Sequence, residues 1–173
     1  VGYTIFYNFS YTLENPITIF YLWNGGMSFH GGFIGVILAI VYFCKKNKIP
    51  FFEISDFIVR LVLIGLFTGR VGNFINGELW GKPTDTIWGV IFPKIDNLPR
   101  HPTQIYEAIL EGIVLFIILN FVFTEKLKAS VMTSYFLILY SLFRFTVEFF
   151  RVPDAHIGYL ALNWVTMGQI LCI

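Results

Sequence analysis

The side chains able to do chemistry are concentrated in three short segments. The segment 69–81, GRVGNFINGELWG, places polar and charged residues at the end of a long apolar run. In the segment 140–151, spacings of four, four and three residues put the polar residues on one helix face. The segment 25–32 holds a histidine among four glycines. The residues are His30, Arg70, Asn73, Asn76, Glu78, Tyr140, Arg144, Glu148 and Arg151.

These residue types together fit a phosphate-bearing ligand. Arg70 and Arg144 offer planar guanidinium groups that bind phosphate through paired hydrogen bonds. Asn73 can add a donor, and His30 can accept a proton near neutral pH. Each has a structural alternative, since arginines at a membrane edge often reach lipid headgroups and a lone histidine often has a packing role. Their convergence favours a site.

The composition indicates which solvent surrounds these residues. The chain has 173 residues, of which 56% are hydrophobic and 13% charged, with a mean hydropathy of +0.70. Soluble domains usually carry about 25% charged residues. The chain is therefore predicted to be a membrane protein. A net charge of +1 gives no reason to expect a nucleic-acid partner.

Apolar runs of the length that a membrane requires organise the whole chain. Four runs approach the roughly 20 residues of a transmembrane helix, and a fifth begins near the end. The prediction is an all-α, polytopic helical bundle forming one membrane domain over 1–173, truncated at both ends. The predicted spans are 29–44, 51–69, 103–123, 131–150 and the start of another at 164–173.

Lysines in two short connections predict the orientation. Lys45, Lys46 and Lys48 follow the first run, while Lys126 and Lys128 follow the third. Alternating spans put both connections on one side, which the positive-inside rule identifies as cytoplasmic. The opposite side then receives an interfacial or re-entrant segment and two outward loops, at 1–28, 70–102 and 151–163.

Other conspicuous residues have structural interpretations. Asp56 and Arg60, four residues apart in the second run, are predicted to form an ion pair on one helix face. Cys44 and Cys172 form no CxxC motif and are predicted to be buried thiols.

Longer segments carry a resemblance to a known family. The chain resembles the bacterial phosphatidylglycerol–prolipoprotein diacylglyceryl transferases in GGMSFHGGFIGV (25–36), GRVGNFINGELWG (69–81), RHPTQIYEAILEG (100–112), YSLFRFTVEFFRVPDA (140–155) and MGQIL (167–171). The resemblance implies transfer of diacylglycerol from phosphatidylglycerol to the lipobox cysteine thiol of a prolipoprotein. A thioether forms and glycerol phosphate leaves, in the first step of bacterial lipoprotein maturation.

The resemblance also implies the site and its setting. The expected catalytic residues are His30, Arg70, Asn73, Glu78, Tyr140, Arg144 and Glu148. The residues expected to bind the phosphatidylglycerol headgroup are Arg70, Asn73, Gly81 and Arg144. Neither a cofactor nor a metal is implied. The partners are phosphatidylglycerol and prolipoprotein signal peptides, and the location is the bacterial cytoplasmic (inner) membrane, multi-pass, with the active site toward the outer leaflet on the periplasmic side.

The expected mechanism assigns a role to each group. His30, directly or through Tyr140, removes the thiol proton, while Arg70 and Arg144 stabilise charge on the departing phosphate. His101 is expected to be structural, and His156 to be solvated. Family members have further chain before Val1, with a membrane helix and a tyrosine of functional importance, and some have a longer arm between 81 and 100.

Two other function classes remain open at this level. A polytopic transporter would also place charges within its membrane helices, but its sites usually lie near the midplane between repeats. A non-enzymatic membrane protein that binds anionic lipid would need basic residues without His30, Asn73 and Glu78.

Overall fold

The computed structural model describes residues 29–122, 128–152, 159–161, 165–166 and 169, with side chains at 31–121, 128–152 and 169. The chain divides into two compact units, Val1–Ile54 and Ser55–Ile173. The described residues are mostly helical, as predicted. The all-α prediction was incomplete, because two antiparallel strand pairs are also present. The predicted segment 1–28, His156, Cys172 and the run at 164–173 fall wholly or largely outside the described residues.

The first described helix, α1, spans Phe29–Asn47. It runs three residues past the predicted end at 44. Lys45 and Lys46 lie in its last turn, where positive charge is favourable because the helix C-terminus carries partial negative charge. Cys44 is buried, in agreement with the prediction.

Helix α2 spans Phe51–Asn76. The prediction that an outward loop begins at residue 70 was therefore wrong, since 70–76 form the last two turns of this helix. Polar residues interrupt the apolar run there, and that interruption suggested a loop. The backbone remains helical, and the Glu78 amide donates to the Asn73 carbonyl oxygen at 2.9 Å just beyond the helix end.

The next helix combines two geometries. Thr103–Glu107 (α3) and Leu115–Ile117 (α4) are α-helical, whereas Ala108–Val114 (π1) and Ile118–Val122 (π2) have the wider π-helical turn. We refer to 103–122 as the composite helix. Within the described residues, one helical stretch, Thr103–Phe121, has the length and apolar composition needed to cross a membrane.

Helix α5 spans Val131–Glu148 and packs with α2 and the composite helix. Leu115 and Leu119 are fully buried at the centre of this packing. The side chains of the core cluster are Val59, Leu63, Leu115, Leu119 and Met132. Between helices surrounded by lipid, such packing stabilises through van der Waals contacts.

Asp56 contacts the N-terminal end of α5 and does not form the ion pair predicted with Arg60. The Asp56 carboxylate accepts hydrogen bonds from the backbone N–H of Ser130 at 3.0 Å and of Thr133 at 2.8 Å. Arg60 is exposed, and the ion pairs of the described residues do not include it. The free amides at a helix N-terminus compete well for a carboxylate, because they are fixed in place and otherwise lack partners.

The strands lie in the segments that follow the helices. β1 (Val90–Ile91) pairs with β2 (Pro99–Arg100), with Val90 opposite Arg100. β3 (Tyr159–Ala161) pairs with β4 (Val165–Thr166).

Candidate functional site

Two of the predicted phosphate-binding arginines meet on one buried carboxylate. Arg70 Nε lies 3.0 Å from Glu107 Oε2, and Arg144 Nη1 contacts Glu107 Oε1. The Glu107 side chain is 1% exposed. The arginines come from α2 and α5, so the carboxylate on the composite helix joins all three helices.

A second glutamate lies beside the same arginines. Glu111 Oε2 accepts a hydrogen bond from Arg70 Nη2 at 3.5 Å, and its Oε1 lies 3.9 Å from Arg144 Nη1. The Glu111 side chain is fully buried, and Oε1 has no hydrogen-bond partner in the described part of the chain.

Glu148 and Arg151 complete the group. Arg144 Nη2 lies 3.1 Å from Glu148 Oε2, and Arg151 Nη1 lies 3.8 Å from Glu107 Oε1. The prediction that Arg70, Arg144 and Glu148 converge therefore agrees with the geometry. We call this set the arginine–glutamate cluster: Arg70, Glu107, Glu111, Arg144, Glu148 and Arg151.

Sequence reasoning missed Glu107 and Glu111. They lie four residues apart in the apolar run TQIYEAILEG, a spacing that places both on one side of a helix. Ionisable residues inside such runs are functional candidates by default. The same criterion that selected Arg70 and Arg144 would therefore have selected these glutamates.

A close contact between backbones holds α2 against the composite helix. A Cβ at Gly112 would lie 2.7 Å from Phe67 Cβ and 3.0 Å from Phe67 Cα. Only glycine allows this approach without displacing a helix. Gly112 directly follows Glu111, and Phe67 precedes Arg70 by one turn, so the contact sets the distance across the cluster.

Asn73 and Glu78 take no part in the cluster's ion pairs within the described residues. The Glu78 side chain is exposed, and its carbonyl oxygen accepts a hydrogen bond from Gln104 Nε2. Thr103 Oγ1 donates to the Leu79 carbonyl oxygen at 3.0 Å. The polypeptide after α2 is thereby attached to the start of the composite helix through main-chain atoms.

Gly81, predicted to bind the headgroup, is buried where three segments meet. Its N–H donates to the His101 carbonyl oxygen at 2.9 Å, and its own carbonyl oxygen accepts from Arg100 Nη1 at 3.2 Å. It also forms a β-bridge with Arg151. A Cβ here would lie 2.6 Å from the His101 carbonyl oxygen. These contacts tie the backbone of Gly81 to the backbone that carries Arg151, and headgroup binding at Gly81 stays a prediction.

The structure describes the side chain of Tyr140 but only the backbone of His30. Tyr140 is partly buried on α5, stacks on Phe136 with ring centroids 5.7 Å apart, and interacts electrostatically with the cluster. The His30 backbone lies in α1, within the other compact unit, and its side chain is outside the described set. The assignment of His30 as base stays a prediction.

His101 lies in an aromatic group outside the cluster. Its Nδ1 is 3.0 Å from Tyr106 Oη, which also accepts a hydrogen bond from Trp88 Nε1 at 2.9 Å. Its ring packs edge-on to Phe150 at 5.2 Å. Burial lowers the pKa of His101 below 6.5, because the charged form loses hydration. These contacts fit the expected structural role.

A surface ion pair stabilises the turn that delivers Arg100 to Gly81. Asp96 Oδ1 accepts from Arg100 Nε at 3.2 Å, and the hydrogen bond from Arg100 lowers the pKa of Asp96. Leu98 N–H also donates to Asp96 Oδ1 at 3.2 Å.

Comparison with known proteins gives a consistent result. The family model for prolipoprotein diacylglyceryl transferase matches residues 1–173. Proteins named phosphatidylglycerol–prolipoprotein diacylglyceryl transferase from Oleidesulfovibrio alaskensis, Pseudomonas fluorescens and Methylococcus capsulatus are 58%, 55% and 52% identical over the whole of this chain. The chain spans 65%, 65% and 66% of their respective lengths.

Proposed function

The chain belongs to the prolipoprotein diacylglyceryl transferase family, and from this premise we propose that the whole protein is a phosphatidylglycerol–prolipoprotein diacylglyceryl transferase. It transfers diacylglycerol from phosphatidylglycerol to the lipobox cysteine of prolipoprotein signal peptides. The relatives carry both substrates in their name.

The observation that carries the proposal is the meeting of Arg70 and Arg144 on Glu107. Two guanidinium groups directed at one small anion form an anion-binding site whose charge and geometry also suit a phosphodiester. A phosphodiester carries its negative charge on two non-bridging oxygens, as a carboxylate does, so it can bind the same guanidinium groups while the glutamates keep them oriented.

The reaction uses a nucleophile that the substrate brings. The cysteine sulfur attacks the glyceryl carbon of the lipid, a C–S bond forms, and the C–O bond to phosphate breaks with its electron pair leaving on the phosphate oxygen. Arg70 and Arg144 stabilise that negative charge. The thiol proton goes to His30, directly or through Tyr140. Asn73 and Glu78 hold the headgroup.

The membrane setting follows from the same elements. Helix α2 presents exposed apolar side chains, including Phe57 at 63% and Ile64 at 53%, and α5 presents Ile138 at 65%. Lipid is the natural environment for such faces. Asp56 near the start of α2 contacts the start of α5, while Arg70 near the end of α2 and Arg144 near the end of α5 both contact Glu107. This parallel relation is what alternating spans require.

A multi-pass protein of the bacterial inner membrane is accordingly proposed, with the active site toward the outer leaflet. The lysines at 45, 46 and 48 then lie in the cytoplasm, as the positive-inside rule favours. The arginine–glutamate cluster lies near the C-terminal ends of α2 and α5, on the side assigned to the outer leaflet.

The test uses the full-length protein in membranes containing headgroup-labelled phosphatidylglycerol. A lipobox peptide should release labelled glycerol phosphate and gain the mass of diacylglycerol, whereas its cysteine-to-serine variant should do neither. Arg60→Gln is the matched control for Arg70→Gln, because Arg60 lies on the same helix and is exposed. Release that occurs equally with both peptides, or a folded, lipid-binding protein that releases nothing, would overturn the assignment.

A further inference from the structure

The arginine–glutamate cluster is electrically complete before any ligand enters. Its three arginines and three glutamates sum to zero formal charge when all are ionised. Glu107 and Glu111 are 1% and 0% exposed, so water contributes little to screening them. A phosphodiester adds one negative charge, and an uncompensated charge in such a dry site is strongly unfavourable.

We propose that binding of the lipid phosphate is coupled to uptake of one proton by this cluster, and that the carboxyl group of Glu111 holds that proton. The inference rests on the proposed function, because it concerns the same phosphate-binding site at Arg70 and Arg144. The balance is simple: a carboxylate and a proton give a neutral carboxyl, and the charge of the loaded cluster returns to zero.

We assign the proton to Glu111 because its contacts with the arginines are longer than those of Glu107 and Glu148. Its shortest contact to a guanidinium nitrogen is 3.5 Å, whereas Glu107 lies 3.0 Å from Arg70 and Glu148 lies 3.1 Å from Arg144. The contact of Glu111 with Arg144 is longer still, at 3.9 Å. When a phosphate draws Arg70 and Arg144 toward itself, Glu111 is the carboxylate left with the least compensation.

The groups that face Glu111 come from each element packed against it. Arg70 approaches from α2, Glu107 lies on the composite helix itself, and Arg144 and Tyr140 approach from α5. Of these, the two arginines favour the ionised form of Glu111 and Glu107 disfavours it. Moving the arginines onto a phosphate therefore changes the balance in the direction of proton uptake.

A geometric feature makes Glu111 suited to this task. It lies in π1, where the helical turn is widened, and π segments often occur at functional sites because they redirect individual side chains. Gly112 next to it fixes the backbone against Phe67, so the carboxyl position is set by packing and not by its ion pairs alone.

The experiment measures binding of phosphatidylglycerol to the full-length protein from about pH 5 to about pH 8.5, a range that spans ordinary histidine titration and begins above that of ordinary carboxyl groups. Proton linkage predicts that the affinity for lipid falls about tenfold for each unit by which the pH rises. This holds over the interval in which only the lipid-bound cluster carries the proton. Titration calorimetry in two buffers of different ionisation enthalpy counts the protons directly. The expected value is one proton per lipid in the same interval.

Variants identify the group. Glu111→Gln, which mimics the protonated side chain, should bind lipid with an affinity independent of pH and take up no proton, whereas Glu53→Gln, at an exposed glutamate early in α2, should keep the wild-type slope. His30→Gln should also keep it. A slope that survives Glu111→Gln, or disappears with His30→Gln, overturns the assignment to Glu111.

The other outcomes are also decisive. Lipid binding with no proton uptake in the unmodified protein overturns the coupling and leaves the transferase proposal standing. Should Glu111→Gln fail to fold, the calorimetric proton count on the unmodified protein and on Glu148→Gln decides between uptake at the cluster and none. Absence of both lipid binding and transfer removes the proposed function itself.

Discussion

Two polar contacts join α2 to α5, one near the start of each helix and one near the end, and they satisfy their carboxylates in opposite ways. Asp56 is held by backbone N–H groups of Ser130 and Thr133, with the Thr133 hydroxyl as a further donor. Glu107 is held by side chains of Arg70 and Arg144. Backbone donors are fixed and cannot follow another anion. Guanidinium groups on flexible side chains can, so the first contact is structural and the second can exchange its partner for a ligand.

The largest effect is expected from removing an arginine of the cluster. Arg144→Gln should lower the transfer rate by about 10²–10³-fold, because a preorganised donor to the departing phosphate is lost. Arg60→Gln, at an exposed arginine, should leave the rate near that of the unmodified protein. Initial rates of thioether formation decide the matter. Equal losses in both variants would mean that general positive charge, and not the cluster, matters.

A smaller effect is expected from separating the helices without touching a charge. Gly112→Ala places a methyl group 2.7 Å from Phe67 Cβ, so the backbones must move apart. The rate should fall by up to about 10²-fold through misplacement of Arg70 and Glu111, with a stability loss of about 1–3 kcal/mol.

The matched control is Gly65→Ala, on the same helix as Arg70. A Cβ at Gly65 meets nothing within 4 Å, so this variant should be as active as the unmodified protein. Comparison of rate per folded molecule with the thermal unfolding midpoint separates the two effects. Equal behaviour of the two alanine variants would remove the role given to Gly112.

The contact between Asp56 and the start of α5 should show the reverse pattern, in which its loss lowers stability but not the transfer rate. Asp56→Ala removes the carboxylate that satisfies the first amides of α5, which should cost about 0.5–2 kcal/mol of stability. The transfer rate per folded molecule should change little, since Asp56 lies at the far end of α2 from the cluster. Faster hydrogen exchange at the Thr133 amide would locate the effect. A large loss of rate at full stability would place Asp56 in the functional machinery.

The smallest expected effect concerns pH and His101. Burial holds its pKa below 6.5 in the folded protein, so the unfolded chain binds more protons at mildly acidic pH. The stability that neutral His101 contributes is therefore complete above pH 6.5 and is lost as the pH falls through that value toward the folded pKa. Protection against hydrogen exchange around Tyr106, corrected for the intrinsic pH dependence of exchange, should fall on acidification, and His101→Gln should weaken that dependence. An unchanged dependence would exclude His101 as its source.

Some features of this protein follow from the sequence by itself. The helical character of 29–44, 51–69 and 131–148 follows from apolar runs, because such runs favour regular hydrogen bonding of the backbone wherever water is scarce. The convergence of Arg70, Arg144 and Glu148 also followed, since helical spacing and alternating spans bring the ends of two helices to one level. The family was evident from long motifs that specify many positions together.

Tertiary structure decided the rest. The partner of Asp56 is a helix end 74 residues away, and periodicity within one helix could suggest only Arg60. The role of Gly81 depends on backbone atoms of His101 and Phe150 that no local pattern reveals. The charge balance of the site depends on Glu107 and Glu111 entering from a third helix. Sequence identifies which residues carry charge, whereas packing determines which charges meet and how little water remains between them.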